Sequence, residues 1–358
     1  MDCGGWFSMR MSRRAAIYAA GGGLPAYYGT IPGLGQSTIA YGAAPVGDYA
    51  VFSGGSTSSG KRVKCAYSSS LTRTDALTGY YKTDVSSACS GSYALFAGGH
   101  AADSESRDSY GYAYDENLAY TRFSSGISAS SGTGATANVN YPACFNGSGV
   151  FYYYRGSSPS YHGVRLIDDS LTSTSVDLST GDWYAAAAAA SDSHLVVAGG
   201  CYNGTSSSGT NAAKAVDASL VVSAVDSLSA ARGNMAAASL DGKLLFFGGA
   251  GYWSYLYTAN VSSAVDCYDE NLVHTVLSPL SAARSGLACA PLGCTVLVAG
   301  GHDASAASAA SAAAELYTAD LVRADLSALS SARYGLRACV TGKYAIFGGN
   351  QYCDVYKA

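Results

Sequence analysis

Charged side chains are scarce in this sequence of 358 residues. Lys, Arg, Asp and Glu make up 13% of it, against about 25% in a typical globular protein. The 21 basic and 25 acidic residues leave a net charge of −4, which excludes the broad basic surface that a nucleic-acid-binding protein needs. The five histidines are scattered and no two cysteines form a C-x-x-C pair, so we expect no metal and no other cofactor.

Long hydrophobic runs are also lacking. The longest uncharged stretch, residues 15–47, is interrupted by a glycine triplet, Pro25 and Pro32, so it lacks the roughly 20 apolar residues of a membrane-spanning helix. No leucine-rich core with a cleavage site follows the arginines near the start, as it would in a signal peptide. We expect a soluble protein without a membrane span, made in the cytoplasm.

The ten cysteines show no disulfide framework. Four of them recur in similar contexts, ACSG, ACFNG, ACAPLG and ACVTG, as Cys89, Cys144, Cys289 and Cys339. A cysteine that returns at one position of a repeat behaves as a small buried hydrophobe. We therefore expect reduced thiols in the core.

Glycine pairs, in contrast, recur throughout the chain. Each follows an apolar run, as in YAVFSGG from residue 49, HLVVAGG from 194 and TVLVAGG from 295. A second marker comes after each pair: an aromatic or β-branched residue, two or three polar residues, and a leucine. These leucines recur every 47 to 53 residues, at Leu71, Leu118, Leu171, Leu220, Leu272 and Leu321. Seven units of about 50 residues account for the chain, which is the period of a propeller blade.

Each unit reads as four short strands, A to D. The alanine runs YAAAAAAS (Tyr184–Ser191) and MAAAS (Met235–Ser239) favour helix by propensity, but their place in the repeat makes them strand A. Small residues suit that innermost strand because the blades converge there. The glycine pair ends strand B, where a missing Cβ permits a sharp exit and a close backbone neighbour.

The order of these markers resembles the kelch family across nearly the whole chain. The motif LSAAR at Leu228–Arg232 and Leu280–Arg284 contributes to the resemblance, whereas the family's usual tryptophan after Tyr-Asp is replaced by the recurring leucines. The resemblance implies an all-β, seven-bladed kelch-like β-propeller with four antiparallel strands per blade, and it implies no particular chemistry. The low charge is also similar to that of kelch arrays in bacterial and prophage tail-associated proteins.

We expect one domain over residues 1–358, closed into a ring by its ends. The last unit lacks a strand D, so part of Ala15–Tyr28 is predicted to pair with Tyr352–Lys357. The closing strand lies within residues 1–33, and the blades span 34–80, 81–128, 129–178, 179–228, 229–280, 281–328 and 329–358.

Strand alternation predicts that the B–C and D–A connections share one face, the near face, and that the A–B and C–D turns share the far face. The B–C loops vary in length and content, and variable loops on a rigid scaffold commonly carry function. The stretch AGYWSYLY in blade 5 has two possible interpretations. Its aromatic side chains either form a platform that binds a sugar ring or a protein, or they pack against one another as the core of the loop itself. The candidate patch comprises Tyr202, Asn203, Tyr252, Trp253, Tyr255 and Tyr257.

Two further sets of residues recur in register. Arg232, Arg284 and Arg333 precede strand A of blades 5, 6 and 7, where they either form an anion-binding arc at the channel mouth or brace the blades through backbone carbonyls. His100 and His302 both follow a glycine pair, but in blades too far apart to share a metal ion.

These observations favour a non-enzymatic binding or structural module. We expect its B–C loop face to meet a glycan or protein partner, in a bacterial or phage surface or tail assembly. No nucleophile–base order or pair of catalytic carboxylates stands out. The alternative is a sugar-processing enzyme with an axial site at the channel mouth.

Overall fold

The computed structural model is a seven-bladed β-propeller without helices in the residues it describes. Those residues are 23–34, 39–56, 63–75, 77–79, 82–83, 85–98, 100–101, 109–127, 143–155, 161–178, 186–201, 209–253, 258–303, 309–349 and 351–358. Each blade is a four-stranded antiparallel sheet in the order A-B-C-D. The A strands of neighbouring blades contact one another, which places strand A at the centre of the ring.

The strand bounds follow the predicted repeat. In order A to D, blade 1 comprises Ile39–Val46, Tyr49–Ser56, Val63–Ser68 and Arg73–Thr74; blade 2, Ser86–Cys89, Ala94–Ala97, Tyr110–Tyr114 and Tyr120–Ser124; blade 3, Cys144–Phe145, Ser148–Arg155, Tyr161–Ile167 and Ser173–Asp177; blade 4, Ala187–Ala190, His194–Cys201, Gly209–Asp217 and Val222–Val225. Blade 5 comprises Ala236–Leu240, Lys243–Phe247, Val265–Tyr268 and His274–Val276; blade 6, Ala288–Leu292, Thr295–Ala299, Ala314–Thr318 and Arg323–Leu326; blade 7, Ala338–Thr341, Tyr344–Phe347, Tyr352–Lys357 and Ala26–Pro32. Two short ribbons add Lys82–Thr83 with His100–Ala101, and Ala250–Trp253 with Thr258–Val261.

The ring closes as predicted, with an N-terminal strand completing blade 7. Ala26–Pro32 pairs with Tyr352–Lys357, and Gly33 N–H donates to the Gln351 carbonyl at 2.7 Å. The pairing segment overlaps the expected Ala15–Tyr28 at residues 26–28 and continues to Pro32, and residues 15–22 lie outside the described part of the chain. A Cβ on Gly33 would lie 2.3 Å from the Gln351 carbonyl carbon, so this close approach sets where the strand ends.

The alanine runs form strands, as their place in the repeat predicted. Ala187–Ala190 and Ala236–Leu240 are the A strands of blades 4 and 5, and their alanines are buried. Tertiary packing overrides helix propensity here, because these alanines pack in the clusters between neighbouring blades. The buried apolar side chains form seven clusters, each shared by two neighbouring blades.

The glycine pairs permit backbone contact between blades. Gly199 and Gly248 both have φ near +60°, and an added Cβ would lie 2.2 Å from the Arg232 carbonyl oxygen and 2.4 Å from the Arg284 carbonyl oxygen, respectively. The N–H of the second glycine of each pair donates to the same carbonyl, at 2.9 Å for Gly200 and 2.8 Å for Gly249. Strand B of one blade is thereby bonded to the segment before strand A of the next blade.

The recurring leucines occupy the left-handed region at the C–D turns. All six have φ between 59° and 64°, a conformation that is costly for a side chain with a Cβ. In four turns an aspartate Oδ1 accepts two backbone N–H groups, at Asp115, Asp168, Asp217 and Asp269. Each leucine packs against an inter-blade cluster, so packing offsets the backbone strain.

A tyrosine on strand C bonds to the preceding blade at five of the seven joints. Its hydroxyl donates to a backbone carbonyl at or just after that blade's strand D, at 2.6 to 2.9 Å, from Tyr67, Tyr114, Tyr268, Tyr317 and Tyr356. Blades 3 and 4 carry Ile167 and Val216 at this position, so their joints are held there by apolar contact without a hydroxyl.

Candidate ligand-binding site

The two faces of the propeller are built as strand alternation predicted. On the near face, D–A segments pair with B–C segments: Lys82–Thr83 with His100–Ala101, Gly233 with Ala250, and Ser285 with His302. On the far face, A–B and C–D turns meet across blades, since Ser92 N–H donates to Asp169 Oδ1 at 2.9 Å. The described segments that flank the variable loops are therefore tied together on the near face by backbone pairing.

The candidate aromatic segment begins as a two-stranded ribbon on blade 5. Ala250–Trp253 pairs with Thr258–Val261, with Tyr252 opposite Ala259 and Trp253 opposite Thr258. The ribbon extends the B–C connection beyond the blade's own sheet. The other four residues of the candidate patch lie outside the described residues: Tyr202, Asn203, Tyr255 and Tyr257. The structure therefore locates only the backbone of Tyr252 and Trp253 from this patch.

An open cleft of about 590 Å³ lies at the base of this ribbon, between blades 4 and 5. Gly209 is the first residue of strand C in blade 4, and Ala230 and Ala231 belong to the segment joining the two blades. The ribbon supplies the other wall. Its lining consists of Gly209, Ala230, Ala231, Gly251, Asn260, Val261 and Ser262.

Backbone groups crowd together around Gly209 at this cleft. A Cβ on Gly209 would lie 3.2 Å from the carbonyl oxygens of both Gly200 and Gly251 and 3.3 Å from the carbonyl carbon of Ala231. Asn260, exposed and opposite Gly251, has φ of 56°, a conformation that asparagine tolerates better than most residues. The cleft is thus lined by the backbone of Gly209 and Gly251, by the side-chain amide of Asn260 and by the hydroxyl of Ser262.

The recurring arginines are engaged within their own blades. Arg232 donates from Nε to the Gly248 carbonyl at 2.7 Å and pairs with Asp266, and neither side chain of the pair is exposed. Arg284 donates to the Gly300 carbonyl at 2.7 Å and pairs with Glu315, again with both side chains buried. Arg333 pairs with Asp354 and is 15% exposed. Of the two expected roles, an anion-binding arc or a brace, the burial of Arg232 and Arg284 fits the brace, because both side chains bond to carbonyls and carboxylates and neither is exposed.

The carboxylates that hold these arginines were not singled out from the sequence. Asp266, Glu315 and Asp354 stand two residues before the recurring tyrosine of strand C. Each also accepts from the backbone N–H of the serine in the Leu-Ser-x-Ala-Arg motif, at 2.8 to 2.9 Å from Ser229, Ser281 and Ser330. An acid two residues before a tyrosine, in the blades that carry the arginine motif, is the signal that could have revealed them.

A third residue, on strand D or on the closing strand, also contacts each carboxylate. His274 Nε2 lies 2.6 Å from Asp266 Oδ1, Arg323 Nε donates to Glu315 at 2.6 Å, and the Tyr27 hydroxyl donates to Asp354 at 2.8 Å. Burial by itself would raise the pKa of Asp266, but the charge of Arg232 and these hydrogen bonds outweigh it and hold the pKa below its ordinary value. These acids are thus satisfied structural groups.

The two loop histidines are placed by backbone pairing in separate blades. His302 is buried, exchanges backbone hydrogen bonds with Ser285, and its ring lies edge-on to Tyr334 with the ring centres 5.3 Å apart. The backbone of His100 pairs with Thr83. Within the described ranges no three His, Cys, Asp or Glu side chains are grouped to hold a metal ion.

None of the cysteines whose side chains the structure describes forms a disulfide. Cys89, Cys289 and Cys339 are buried on the A strands of blades 2, 6 and 7, and Cys144 is half-buried on that of blade 3. Burial raises the pKa of the Cys289 and Cys339 thiols, which keeps them protonated and unreactive. Among the described residues, no helix is long and apolar enough to cross a membrane.

Comparison with known proteins supports the fold. No family model matches the chain, and no curated protein matches it. Among solved structures the chain is similar to the structure of YjhT, at a TM-score of 0.56 over 82% of this chain and 98% of that chain, with 14% sequence identity. Likeness at that identity shows the fold alone, and kelch membership remains a resemblance.

Proposed function

We propose that the protein is a non-enzymatic binding module that presents its B–C loop face to a glycan or protein partner. The observation that carries the proposal is the blade 5 ribbon, which extends a B–C connection past its sheet and has an open cleft at its base. Concave sites on a preformed scaffold are the usual places for ligands.

The sequence of the blade 5 B–C segment supports the same function. AGYWSYLY carries three tyrosines and a tryptophan, and such residues supply large contact areas at low conformational entropy cost. The segment before the ribbon is held by hydrogen bonds to blade 6, through Gly249 N–H and the Arg284 carbonyl, and to the D–A segment, through Gly233 and Ala250. A base held in this way reduces the entropy lost on binding.

The test is binding of the purified protein to a glycan array and to immobilised candidate protein partners. We expect the triple variant Tyr252/Trp253/Tyr255→Ala to lose binding of the retained ligand by at least tenfold. A matched control is Tyr49→Phe, remote from the near face. Binding by the triple variant at the wild-type level would refute the proposal, and turnover of a bound sugar would favour an axial enzyme site instead. Incorporation into a bacterial or phage surface assembly remains a prediction.

A further inference from the structure

We infer that the cleft between blades 4 and 5 binds a single neutral sugar unit of a glycan. The inference rests on the proposed function, because it specifies which class of ligand the B–C loop face takes and where one unit of it sits. It is carried by the chemistry of the cleft lining, by the backbone at its floor, and by its size.

The cleft lining excludes a ligand that is recognised by charge. None of its seven residues is ionisable, so the lining offers no counter-ion to a phosphate, carboxylate or ammonium group, and burying an unpaired charge is costly. Ala230, Ala231 and Val261 supply apolar surface, whereas Asn260 and Ser262 supply polar groups. A sugar ring has the same two-part character, with C–H faces and hydroxyl edges.

The polar groups suit hydroxyl recognition. Gly251 lines the cleft, and its carbonyl oxygen lies 3.2 Å from the position that a Cβ on Gly209 would occupy. A carbonyl can accept a hydrogen bond from a hydroxyl donor. The Asn260 amide both donates and accepts. Ser262 Oγ already accepts from Ala264 N–H at 3.0 Å, so its own hydrogen is the group that it offers to a ligand.

The cleft is shallow and open, and its size is that of a small-molecule site. A volume of about 590 Å³ lies within the roughly 300–1,000 Å³ of small-molecule sites. Protein partners, in contrast, typically cover about 800 Å² of each surface. Gly251 and Gly209 leave the cleft without side chains at these positions. A Cβ on Gly251 would lie 3.4 Å from Asn260 Cβ, an ordinary contact, so the backbone there tolerates a Cβ.

Two variants alter the cleft without disturbing the backbone. Gly251→Val adds a β-branched side chain to a strand residue and occupies the cleft. Asn260→Gly removes the amide while keeping the left-handed conformation, which glycine adopts freely. Val273→Thr, at an exposed far-face turn, is the matched control. Thermal unfolding of each variant establishes that it is folded.

The experiment is a glycan array followed by calorimetric titration of the neutral oligosaccharide that is retained most strongly. We expect wild type and Val273→Thr to bind it alike, and both cleft variants to bind at least tenfold more weakly. Full binding by the cleft variants, together with loss in Tyr252/Trp253/Tyr255→Ala, would overturn the cleft assignment and leave the proposed function standing. Retention of charged glycans only, or of no glycan while a protein partner binds, would overturn the sugar assignment.

Discussion

Arg284 and Glu315 form an ion pair in blade 6 in which neither side chain is exposed to solvent. The Glu315 carboxylate also accepts hydrogen bonds from the Ser281 N–H, the Ser281 hydroxyl and Arg323 Nε. With Arg284, four groups therefore compensate its charge. The pair joins the segment before strand A to strand C of the same blade.

Glu315→Gln is expected to destabilise the protein strongly, because it leaves the Arg284 guanidinium buried without its counter-charge. Removing one partner of a buried pair typically costs about 3–5 kcal/mol. Urea unfolding followed by circular dichroism measures the loss. Asp325→Asn is the control, since Asp325 is 74% exposed in its contact with Arg323, and such exposed pairs contribute at most about 1 kcal/mol. Equal losses in the two variants would contradict a special role for the buried pair.

Tyr268→Phe is expected to weaken the joint between blades 4 and 5. The Tyr268 hydroxyl donates to the Asp226 carbonyl at 2.6 Å, and loss of such a hydrogen bond costs about 0.5–1.5 kcal/mol. Tyr317→Phe is expected to cost a similar amount at the next joint. Tyr352→Phe, at a residue that is 55% exposed, serves as the control in thermal unfolding. A midpoint unchanged from wild type in Tyr268→Phe would show that the hydroxyl bond adds nothing.

Leu272→Gly is expected to be less stable than wild type by about 1 kcal/mol, although glycine suits its φ of 62°. The lost packing against the cluster between blades 4 and 5 outweighs the relief of backbone strain. Asn146→Gly, at an exposed position with φ of 49°, is expected to change stability by less than about 0.5 kcal/mol. If Leu272→Gly proved the more stable protein in urea unfolding, strain and not packing would dominate at these turns.

Removal of residues 1–32 is expected to open the ring, whereas removal of residues 1–24 preserves the closing strand. The longer deletion removes the pairing with Tyr352–Lys357 and the hydrogen bond from Tyr27 to Asp354, and it exposes a strand edge that invites association. Thermal unfolding and size-exclusion chromatography distinguish the two proteins. Identical midpoints and elution volumes would mean that the ring does not depend on this strand.

Stability is expected to fall as the pH rises above 9. Burial raises the pKa of Cys65 from 9.0 to about 12 and that of Cys267 to about 11. The native state then keeps protons that the unfolded chain releases, so the stabilisation is complete below pH 9 and is lost between pH 9 and 12. Urea unfolding at pH 8 and pH 10.5 measures the loss, which a Cys65→Ala/Cys267→Ala variant is expected to reduce. An unchanged pH dependence in that variant would assign the effect to other groups.

Local patterns in the sequence were enough to predict the blades. The apolar runs that end in glycine pairs indicated the B strands, and the recurring leucines located the C–D turns, because period and turn chemistry are properties of neighbouring residues. Even the alanine strands followed, once their place in the repeat was weighed above their helix propensity.

The candidate site was predicted less completely. The near face and the blade 5 connection were expected from loop variability, but the ribbon and the cleft at its base were not, since both depend on how Gly209 in blade 4 meets Gly251 in blade 5. The arginines were expected either at a channel mouth or as braces, and only the positions of Asp266 and Glu315 show that their charges are buried.

The sequence by itself determined the repeat, the number of blades and the identity of the two faces, because each depends on short-range periodicity. It also predicted the closure of the ring, because the last repeat unit lacks a strand D. Tertiary structure alone decided which charges are paired, which leucines tolerate a left-handed backbone and where a cleft opens. Those features arise from contacts between residues tens of positions apart, such as Arg284 with Glu315, and no local pattern specifies the distance between them.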